Sequence, residues 1–483
     1  MTKKVDLPAE NKMSDKVKEI KENLKGVLKE SIEFNAVRAR SRAPNPVTTG
    51  TTAPAPPGAI IGRDEDREKI LAHISSRCAT EGPVILLISG DGGIGKTAMA
   101  EMLFKDTRFR CHSRVWVHTS RYLHEIGRSV ICQVSGKEEM SHATEDDVDS
   151  ITDRLHELLS GIKVLIVLDD LYMYYHEWEP LKRMFSVSDK GSQVIVIATT
   201  QQEKEDSVIQ SYSLEPLHED MCCAIIKQIA RRSEDSRSTN REDLERMARK
   251  IAELCKGLPL AAQLLGRLLK YKHFEEWPAL LDESLWSTDS PLDLALELSY
   301  RSMPPNLRLC LAYCAISNMQ PFRVKEDVIH QWIALGLIEP SNNTISAMKL
   351  AEEYIGRLLD MSFLQTAKLQ QDSGKDDTGV VVFKMHESIR EFGHKAIEAE
   401  LGLVDDQEDE NVTEHCRYVL IAECDTWPSK SLMHAQKICA INCFLCSKME
   451  LSDDSFSVPS CLRVLNLEKT SVQKLPHSVI WSN

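Results

Sequence analysis

Short apolar runs alternate with amphipathic segments between residues 60 and 217. The runs are dominated by Val, Ile and Leu, which is typical of strands buried on both faces; they cover residues 84–88, 114–118, 163–168 and 193–198. The segments between them place apolar residues three and four positions apart, which predicts helices over 65–75, 98–104, 122–134 and 144–159. This alternation predicts a parallel sheet with helices on both faces.

From about His218 the pattern changes to helices. An apolar stripe stops at Gly257, a position typical of a helix end, and Pro259 opens the next helix. Further helices are predicted over 292–300, 307–315 and 326–335. Two short apolar runs then flank a polar loop at 370–378; the runs cover 363–364 and 380–385. Helices followed by a small β-wing indicate a winged-helix module.

Both ends of the chain differ from its centre. Residues 15–34 predict one amphipathic helix, and a linker rich in Pro, Ala and Thr follows at 38–58. Near the other end, an acidic linker at 403–411 precedes the stretch 462–476, which fits one leucine-rich repeat. A single repeat cannot bury its own apolar face.

A glycine-rich stretch, Gly90-Asp91-Gly92-Gly93-Ile94-Gly95-Lys96-Thr97, joins the first buried strand to a helix. Glycines let the backbone turn tightly and aim its N–H groups inward, and the helix start adds partial positive charge. Lys96 supplies a point charge for phosphate, and the Thr97 hydroxyl can reach Mg²⁺. The pattern GxxxxGK[ST] between a strand and a helix predicts a nucleotide site.

The apolar run 163–168 ends in two carboxylates, Asp169 and Asp170. At the carboxyl end of a buried strand beside a phosphate-binding loop, Asp169 can hold Mg²⁺ through water, and Asp170 can orient an attacking water. A solvated turn after the strand is the structural alternative.

Net charge argues against nucleic acid as a partner. Lys and Arg number 59 against 73 Asp and Glu, which gives a net charge of −14 at pH 7 and repels phosphates and anionic membranes. The predicted reading helix of the winged-helix module carries Lys325, Glu326, Asp327 and His330, which is hardly a basic surface, so DNA contact is not expected. No apolar run approaches the roughly 20 residues that span a bilayer, and the N-terminus has no signal core, so an intracellular protein is expected.

The 14 cysteines of this chain are expected to be mostly reduced and buried. One cluster raises the alternative of a metal site; it comprises Cys424, His434, Cys439, Cys443 and Cys446. Its C-x₃-C-x₂-C spacing lacks a paired C-x₂-C knuckle and lies in apolar, β-like sequence, which favours a core.

Several motifs in one order resemble the NB-ARC nucleotide-binding domain of plant disease-resistance proteins, the coiled-coil type with leucine-rich repeats. The resemblance runs from about Ile60 to Ser388. It is carried by GDGGIGKT at 90–97, the strand ending in Asp169-Asp170, the segments 212–217, 257–261, 298–300 through Cys310 and 313–315, and Met385-His386-Glu387. Core positions are expected for Cys310, Tyr313 and Cys314.

The resemblance implies a multidomain α/β plus α architecture. Its parts would be a partial coiled-coil helix (1–40), a linker (41–59), a P-loop nucleotide-binding domain (60–217), a helical domain (218–290), a winged-helix domain (291–400), and an acidic linker with the start of a leucine-rich repeat (401–483). Relatives of this type begin with a four-helix coiled-coil domain and carry many repeats, so the chain is expected to be truncated at both ends.

The resemblance also implies a switch that is closed over ADP at rest and opened by ATP. Carried over by position, backbone near Ile61 and Arg63 would meet the adenine, as would Pro259. Phosphate and Mg²⁺ contacts would come from the loop, namely Gly90, Gly92, Gly93, Ile94, Gly95, Lys96 and Thr97, with Asp169 as a second Mg²⁺ ligand. His386 would contact the β-phosphate of ADP, available only while the winged-helix domain is docked.

Three positions depart from the family pattern. Glu387 stands where the family has Asp, and the extra methylene can displace the hydrogen bonds that orient the histidine. Gln201 follows paired threonines where the family has an Arg that senses the γ-phosphate, which predicts weaker stabilisation of ATP. Tyr172 replaces a Trp, a milder change. Nucleotide binding is therefore a firmer expectation than turnover, and any ATPase activity should be slow.

Two other functions stay open at this stage. One is a P-loop ATPase of the remodelling or transcription-regulator type. The other is a non-switching interaction protein that pairs with a full-length relative through residues 15–34 or the repeat edge. The expected partners are a nucleotide and other proteins. The protein partners would be further copies of this chain or full-length relatives, and the sequence does not identify a pathogen effector or a guarded host protein. The expected location is the cytoplasm, with the nucleus or the periphery of the plasma membrane as alternatives.

Overall fold

A computed structural model describes the central part of the chain and most positions after it, all within one compact unit. The described residues are 60–77, 83–119, 122–136, 148–173, 175–187, 191–201, 209–230, 241–271, 276–277, 290–316, 323–339, 346–369, 380–405, 412–422, 424–433, 435–444, 446, 449–452, 455, 461–467, 470–472 and 474–475. The predicted helix at 15–34, the linker at 38–58 and the Thr144 cap lie outside them.

A five-stranded, wholly parallel sheet forms the first module. Its strands are β1 (Val84–Ser89), β2 (Ser113–His118), β3 (Lys163–Asp169), β4 (Gln193–Thr199) and β5 (Ile209–Ser213), in the order β2-β3-β4-β1-β5. The predicted runs form β1 to β4, whereas β5 is an additional edge strand. Because β1 and β3 lie on either side of β4, the loop after β1 and the carboxylates after β3 come to the same edge of the sheet.

Helices cover both faces of this sheet, as predicted. They are α1 (Asp64–Arg77), α2 (Lys96–Phe104), α3 (Leu123–Ser135), α4 (Val148–Leu159) and α5 (Trp178–Phe185). Strand residues alternate between two cores, so that Leu86 packs with α1 and α2 while Leu87 packs with α3 to α5. The all-apolar strands follow from this arrangement, since each face of the sheet needs its own apolar side chains.

A second group of helices shares a core with the modules that follow it. These helices are α6 (Glu219–Ala230), α7 (Arg241–Leu254), α8 (Pro259–Tyr271), α9 (Pro291–Arg301) and α10 (Pro305–Ile316). Cys310, Tyr313 and Cys314 are buried in that core, which confirms the core prediction for them. At the end of α8, Lys270 Nζ lies 3.1 Å from Asp360 Oδ1, and Arg267 and Tyr271 also contact this aspartate.

The winged-helix module contains a three-stranded antiparallel sheet in the order β6-β8-β7. Its elements are β6 (Arg323–Val324), α11 (Lys325–Ala334), α12 (Ala347–Asp360), β7 (Gln365–Leu369), β8 (Val380–Lys384) and α13 (Glu387–Ala396). The predicted run 380–385 forms β8, whereas the predicted run 363–364 lies just before β7 and not in it. In α11, Val328, Ile329 and Trp332 are buried, so this helix serves the core with its apolar face.

Four parallel strands follow the winged-helix module and pair with one another in chain order. They are β9 (Leu401–Val404), β10 (Tyr418–Ala422), β11 (Ala440–Phe444) and β12 (Val464–Asn466), with the short helix α14 (Ser429–Leu432) after β10. The predicted acidic linker therefore overlaps β9 at its start. The predicted single repeat contains only β12, because β9 to β11 lack the leucine spacing by which a repeat is detected.

Buried thiols pack inside this last sheet. Cys424, Cys443 and Cys446 lie in one apolar cluster, and burial raises the pKa of the Cys443 thiol. Within the described part of the chain, no disulfide is formed and no group of three His, Cys, Asp or Glu side chains is arranged to hold a metal ion; His434 is outside it. None of the helices described has the length and apolarity that crossing a bilayer requires.

Candidate nucleotide-binding site

The glycine-rich stretch forms a loop from Gly90 to Gly95 between β1 and α2. Gly93 and Gly95 have φ angles of 79° and 102°, which L side chains rarely adopt. Lys96 Nζ donates to the carbonyl oxygens of Gly90 and Asp91 at 2.7 and 3.0 Å. Burial lowers the pKa of Lys96, and the charge of Asp170 opposes that effect. The ammonium thus lies within the loop, the place from which it can reach a phosphate.

Asp169 is fully buried at the end of β3 and is bound on both carboxylate oxygens. Its Oδ1 accepts hydrogen bonds from the Thr97 and Thr199 hydroxyls at 2.8 and 2.9 Å. Its Oδ2 accepts from Lys384 Nζ at 2.9 Å, across the boundary with the winged-helix module. Although burial alone would raise the pKa of Asp169, the Lys384 ammonium and His118 hold it well below its usual range.

His118 is a member of this cluster that the sequence did not single out. Its Nδ1 lies 3.2 Å from both Asp169 Oδ2 and Lys384 Nζ. Burial and the charge of Lys384 lower the pKa of His118 to about 4, so the ring is neutral at pH 7. A neutral ring nitrogen either donates to Asp169 or accepts from Lys384, so only one of the two bonds forms at a time.

The helical module contacts the loop through the start of α8. The Leu260 backbone N–H donates to the Gly93 carbonyl at 3.2 Å. A Cβ added to Gly93 would lie 2.9 Å from Leu260 Cβ, so glycine is required here both for its φ angle and for this close approach. Pro259 therefore stands one residue from direct contact with the loop.

The winged-helix module reaches the loop through the start of α13. His386 is the N-cap of that helix, and its Nδ1 accepts from the Ser388 N–H at 3.2 Å. Burial and the charges of Lys384 and Lys96 lower the pKa of His386 to about 4, which places a neutral ring near Lys96. A Cβ added to Gly92 would lie 2.7 Å from Ser388 Oγ. The winged-helix module is thus packed directly on the phosphate-binding loop.

Arg63 braces the loop with its side chain. Its guanidinium donates to the carbonyl oxygens of Ile94 and Glu215 at 2.8 and 2.9 Å, and it pairs with Asp66 at 3.0 Å. Ile61 is half-buried against the core of the helical modules. The segment predicted to meet adenine is therefore fixed to the loop and to the end of the sheet.

Two of the three residues that depart from the family pattern, Gln201 and Glu387, contact each other. Gln201, which follows β4, donates through Nε2 to Glu387 Oε2 at 3.1 Å. Arg390 lies 3.6 Å from the other carboxylate oxygen of Glu387. The pair bridges the parallel-sheet module and the winged-helix module at the surface. Tyr172, the third departure, is 58% exposed.

This contact predicts the effect of restoring a positive charge at position 201. Gln201→Arg should pair with Glu387 and stabilise docking of the winged-helix module by up to ~1 kcal/mol, the usual limit for an exposed ion pair. Release of a fluorescent nucleotide analogue, followed by stopped flow, should slow about two- to fivefold. Adding Glu387→Gln should abolish the gain; an equal slowing without that carboxylate would contradict this explanation.

The Thr97 hydroxyl and the carboxylates of Asp169 and Asp170 are oxygen ligands of the type that Mg²⁺ prefers. Asp170 has a left-handed backbone with φ of 61°, held by an N–H bond to Thr199 Oγ1 at 2.8 Å. Mg²⁺ there would neutralise nucleotide phosphate charge.

The structure therefore brings Lys96, Thr97, Asp169 and His386 to one place. Sequence reasoning missed Lys384 and His118. One signal could have located His118, because it ends the strand adjacent to β3, and carboxyl ends of neighbouring parallel strands share an edge. Lys384 depends on how a separate module docks, which no local pattern encodes.

A phosphate-binding loop after a buried strand, an acidic strand end beside it and two further modules packed on the loop define a P-loop nucleotide-binding protein. A family model of the NB-ARC domain matches residues 63–236, and a model of the disease resistance protein winged helix domain matches residues 322–392. The chain therefore contains an NB-ARC domain and a disease-resistance winged-helix domain, and most of its length is similar to plant disease resistance proteins.

Curated relatives agree with this assignment. The chain is 29% identical to RGA4 of Solanum bulbocastanum over 484 residues, covering 97% of this chain and 45% of that one. It is 27% identical over 400 residues to disease resistance protein RGA2 of the same plant, covering 80% and 39%. With disease resistance protein RPP13 of Arabidopsis thaliana the identity is 28% over 351 residues, covering 70% and 40%. The chain spans less than half the length of these relatives.

Among solved structures, one similar fold is a signal transduction ATPase with numerous domains from Pyrococcus horikoshii, which has a tetratricopeptide repeat sensor. The alignment has a TM-score of 0.44 and 15% identity, and it covers 73% of this chain and 44% of that one. A likeness this distant carries no functional inference.

Proposed function

We propose that this chain is an ADP/ATP-dependent switch in plant defence, closed over ADP at rest. The observation that supports this proposal is that the helical and winged-helix modules both pack against the phosphate-binding loop of the parallel-sheet module. Leu260 of the helical module bonds to Gly93, Ser388 of the winged-helix module abuts Gly92, and Lys384 pairs with Asp169. A ligand in that loop contacts groups whose positions depend on docking, so its binding energy can bias the open and closed states.

In this proposal the nucleotide is held by residues from all three modules. Gly93 to Thr97 bind the phosphates, with Lys96 as the charged contact. The backbone near Ile61 and Arg63, together with Pro259, meets the adenine. The neutral ring of His386 contacts the β-phosphate, and Mg²⁺ with ATP is held by Thr97 and Asp169.

Further parts of the proposal concern the complete protein. The four parallel strands β9 to β12 have the chain-order stacking of a solenoid, which supports the start of a leucine-rich-repeat sensor. Recognition of an effector or a host protein, assembly with other copies, and a place in the cytoplasm are proposed on the strength of the family alone. Catalysis is expected to be slow, because Gln201 is neutral and its amide is engaged by Glu387.

Nucleotide content tests the resting state. Protein purified without added nucleotide and then denatured should release about one equivalent of ADP by ion-exchange chromatography, as expected for a ligand enclosed by docked modules. His386→Ala should reduce the retained ADP at least ~5-fold, since it removes the contact from the docked module. His330→Ala is the matched control, because His330 is exposed on α11 of the same module.

Two results would count against the switch. The proposed switch would be excluded if the wild-type protein contained no ADP and did not bind added ADP. Steady ATP turnover much above ~1 per minute would favour the ATPase alternative.

A further inference from the structure

Lys384 belongs to the winged-helix module, but its ammonium lies beside the carboxylates at the end of β3 in the parallel-sheet module. It is the last residue of β8 in the winged-helix sheet, and only 8% of its surface is exposed. Its ammonium lies 2.9 Å from Asp169 Oδ2 and 3.8 Å from the nearest oxygen of Asp170. The ammonium thus approaches both carboxylates that suit Mg²⁺.

The Asp169 carboxylate has little capacity left in this arrangement. Oδ1 accepts two hydroxyl hydrogen bonds, and Oδ2 faces both the Lys384 ammonium and the His118 ring. A divalent cation held by Thr97 and Asp169 would share this carboxylate with the ammonium at a separation of a few ångströms. Like charges at such distances repel strongly where water is excluded.

Charge balance at the strand end gives the same conclusion. A fully buried carboxylate is costly unless a cation compensates it. Lys384 supplies that compensation while the winged-helix module is docked. If the module undocks, the carboxylate loses its cation, and Mg²⁺ is a suitable replacement because it takes oxygen ligands.

We propose that Lys384 is a built-in substitute for Mg²⁺, so that docking of the winged-helix module and divalent-cation binding at Thr97 and Asp169 exclude each other. The residue thereby determines which metal–nucleotide species the closed arrangement accepts: the metal-free nucleoside diphosphate is retained, and the Mg²⁺-bound nucleotide favours opening. The inference rests on the proposed nucleotide switch.

Mn²⁺ binding tests this role, because its free form is measured directly by electron paramagnetic resonance. The 483-residue protein is stripped of metal, loaded with one equivalent of ADP and titrated with Mn²⁺. Lys384→Gln, which keeps a donor but removes the charge, should bind Mn²⁺ about tenfold more tightly than wild type. Lys384→Arg should restore the wild-type affinity. Lys325→Gln is the matched control, because Lys325 of the same module pairs with Glu352 instead.

The double variant Lys384→Gln, Asp169→Asn assigns the gained ion to its site. It removes both charges of the pair, so neither is left buried alone, and it should lose the tighter Mn²⁺ binding. Equal Mn²⁺ affinity in wild type and Lys384→Gln, with ADP retained by both, would overturn this inference alone. Failure of the wild type to hold ADP would overturn the proposed switch and the inference with it.

A second measurement keeps Lys384 intact and so does not depend on how its variants fold. In Gln201→Lys, the new ammonium should lie beside Glu387, and a carbodiimide can join the two as an amide. The yield of this cross-link reports docking of the winged-helix module. Millimolar Mg²⁺ should lower the yield at least ~3-fold relative to NaCl of equal ionic strength. An unchanged yield would overturn the exclusion.

Discussion

Lys96→Ala is expected to weaken ADP binding at least ~100-fold, equivalent to about 2.7 kcal/mol. The Lys96 ammonium is enclosed by the loop and bonds to the carbonyl oxygens of Gly90 and Asp91, so it is already oriented where phosphate would lie. Charge-assisted hydrogen bonds in a site shielded from water are among the strongest single contacts that a protein makes with an anion. Its loss cannot be offset by solvent within the loop.

Isothermal titration with ADP measures this effect. Lys69→Ala is the matched control, because Lys69 is an exposed lysine on α1 of the same module. That variant should stay within about twofold of wild type. Retention of ADP by Lys96→Ala within threefold of wild type would show that the loop is not the phosphate site.

Gly257→Ala is expected to destabilise the protein by about 2–5 kcal/mol, the sum of left-handed backbone strain and overpacking. The φ angle of Gly257 is 78°, and an added Cβ would lie 2.6 Å from both the Leu217 carbonyl oxygen and Pro216 Cβ. The Gly257 carbonyl also accepts from the Leu217 N–H at 2.9 Å. The glycine therefore joins the helical module to the end of the parallel-sheet module, and no flexible side chain can move to accommodate the methyl group.

Gly161→Ala separates the two causes. Gly161 also follows a helix with a positive φ, 71°, but nothing lies within 4 Å of its added Cβ. Only the backbone strain remains, about 1–2 kcal/mol. Urea denaturation midpoints of the two variants should differ clearly, and equal shifts would show that crowding at Pro216 and Leu217 is relieved by backbone movement.

Local sequence was sufficient for the elements with strong periodicity. Strands β1 to β4 are nearly continuous apolar runs because both faces of the sheet are covered, and this composition is visible without any tertiary information. Strand β5 was missed because Ile209–Ser213 is largely polar, as an edge strand can be. Strands β9 to β11 were missed as a set because their stacking becomes apparent only through pairing between distant segments.

The phosphate-binding loop was determined by sequence alone, since its glycines, Lys96 and Thr97 lie within eight consecutive positions, and backbone geometry follows from them. Only the tertiary structure decided which side chains contact Asp169 and which residues join the two modules. Lys384 is 215 positions away, and Gln201 and Glu387 are 186 apart, yet both pairs are in contact. Such contacts depend on how whole modules pack, because the packing of their apolar cores determines the position of each polar side chain. A local sequence pattern cannot predict those positions.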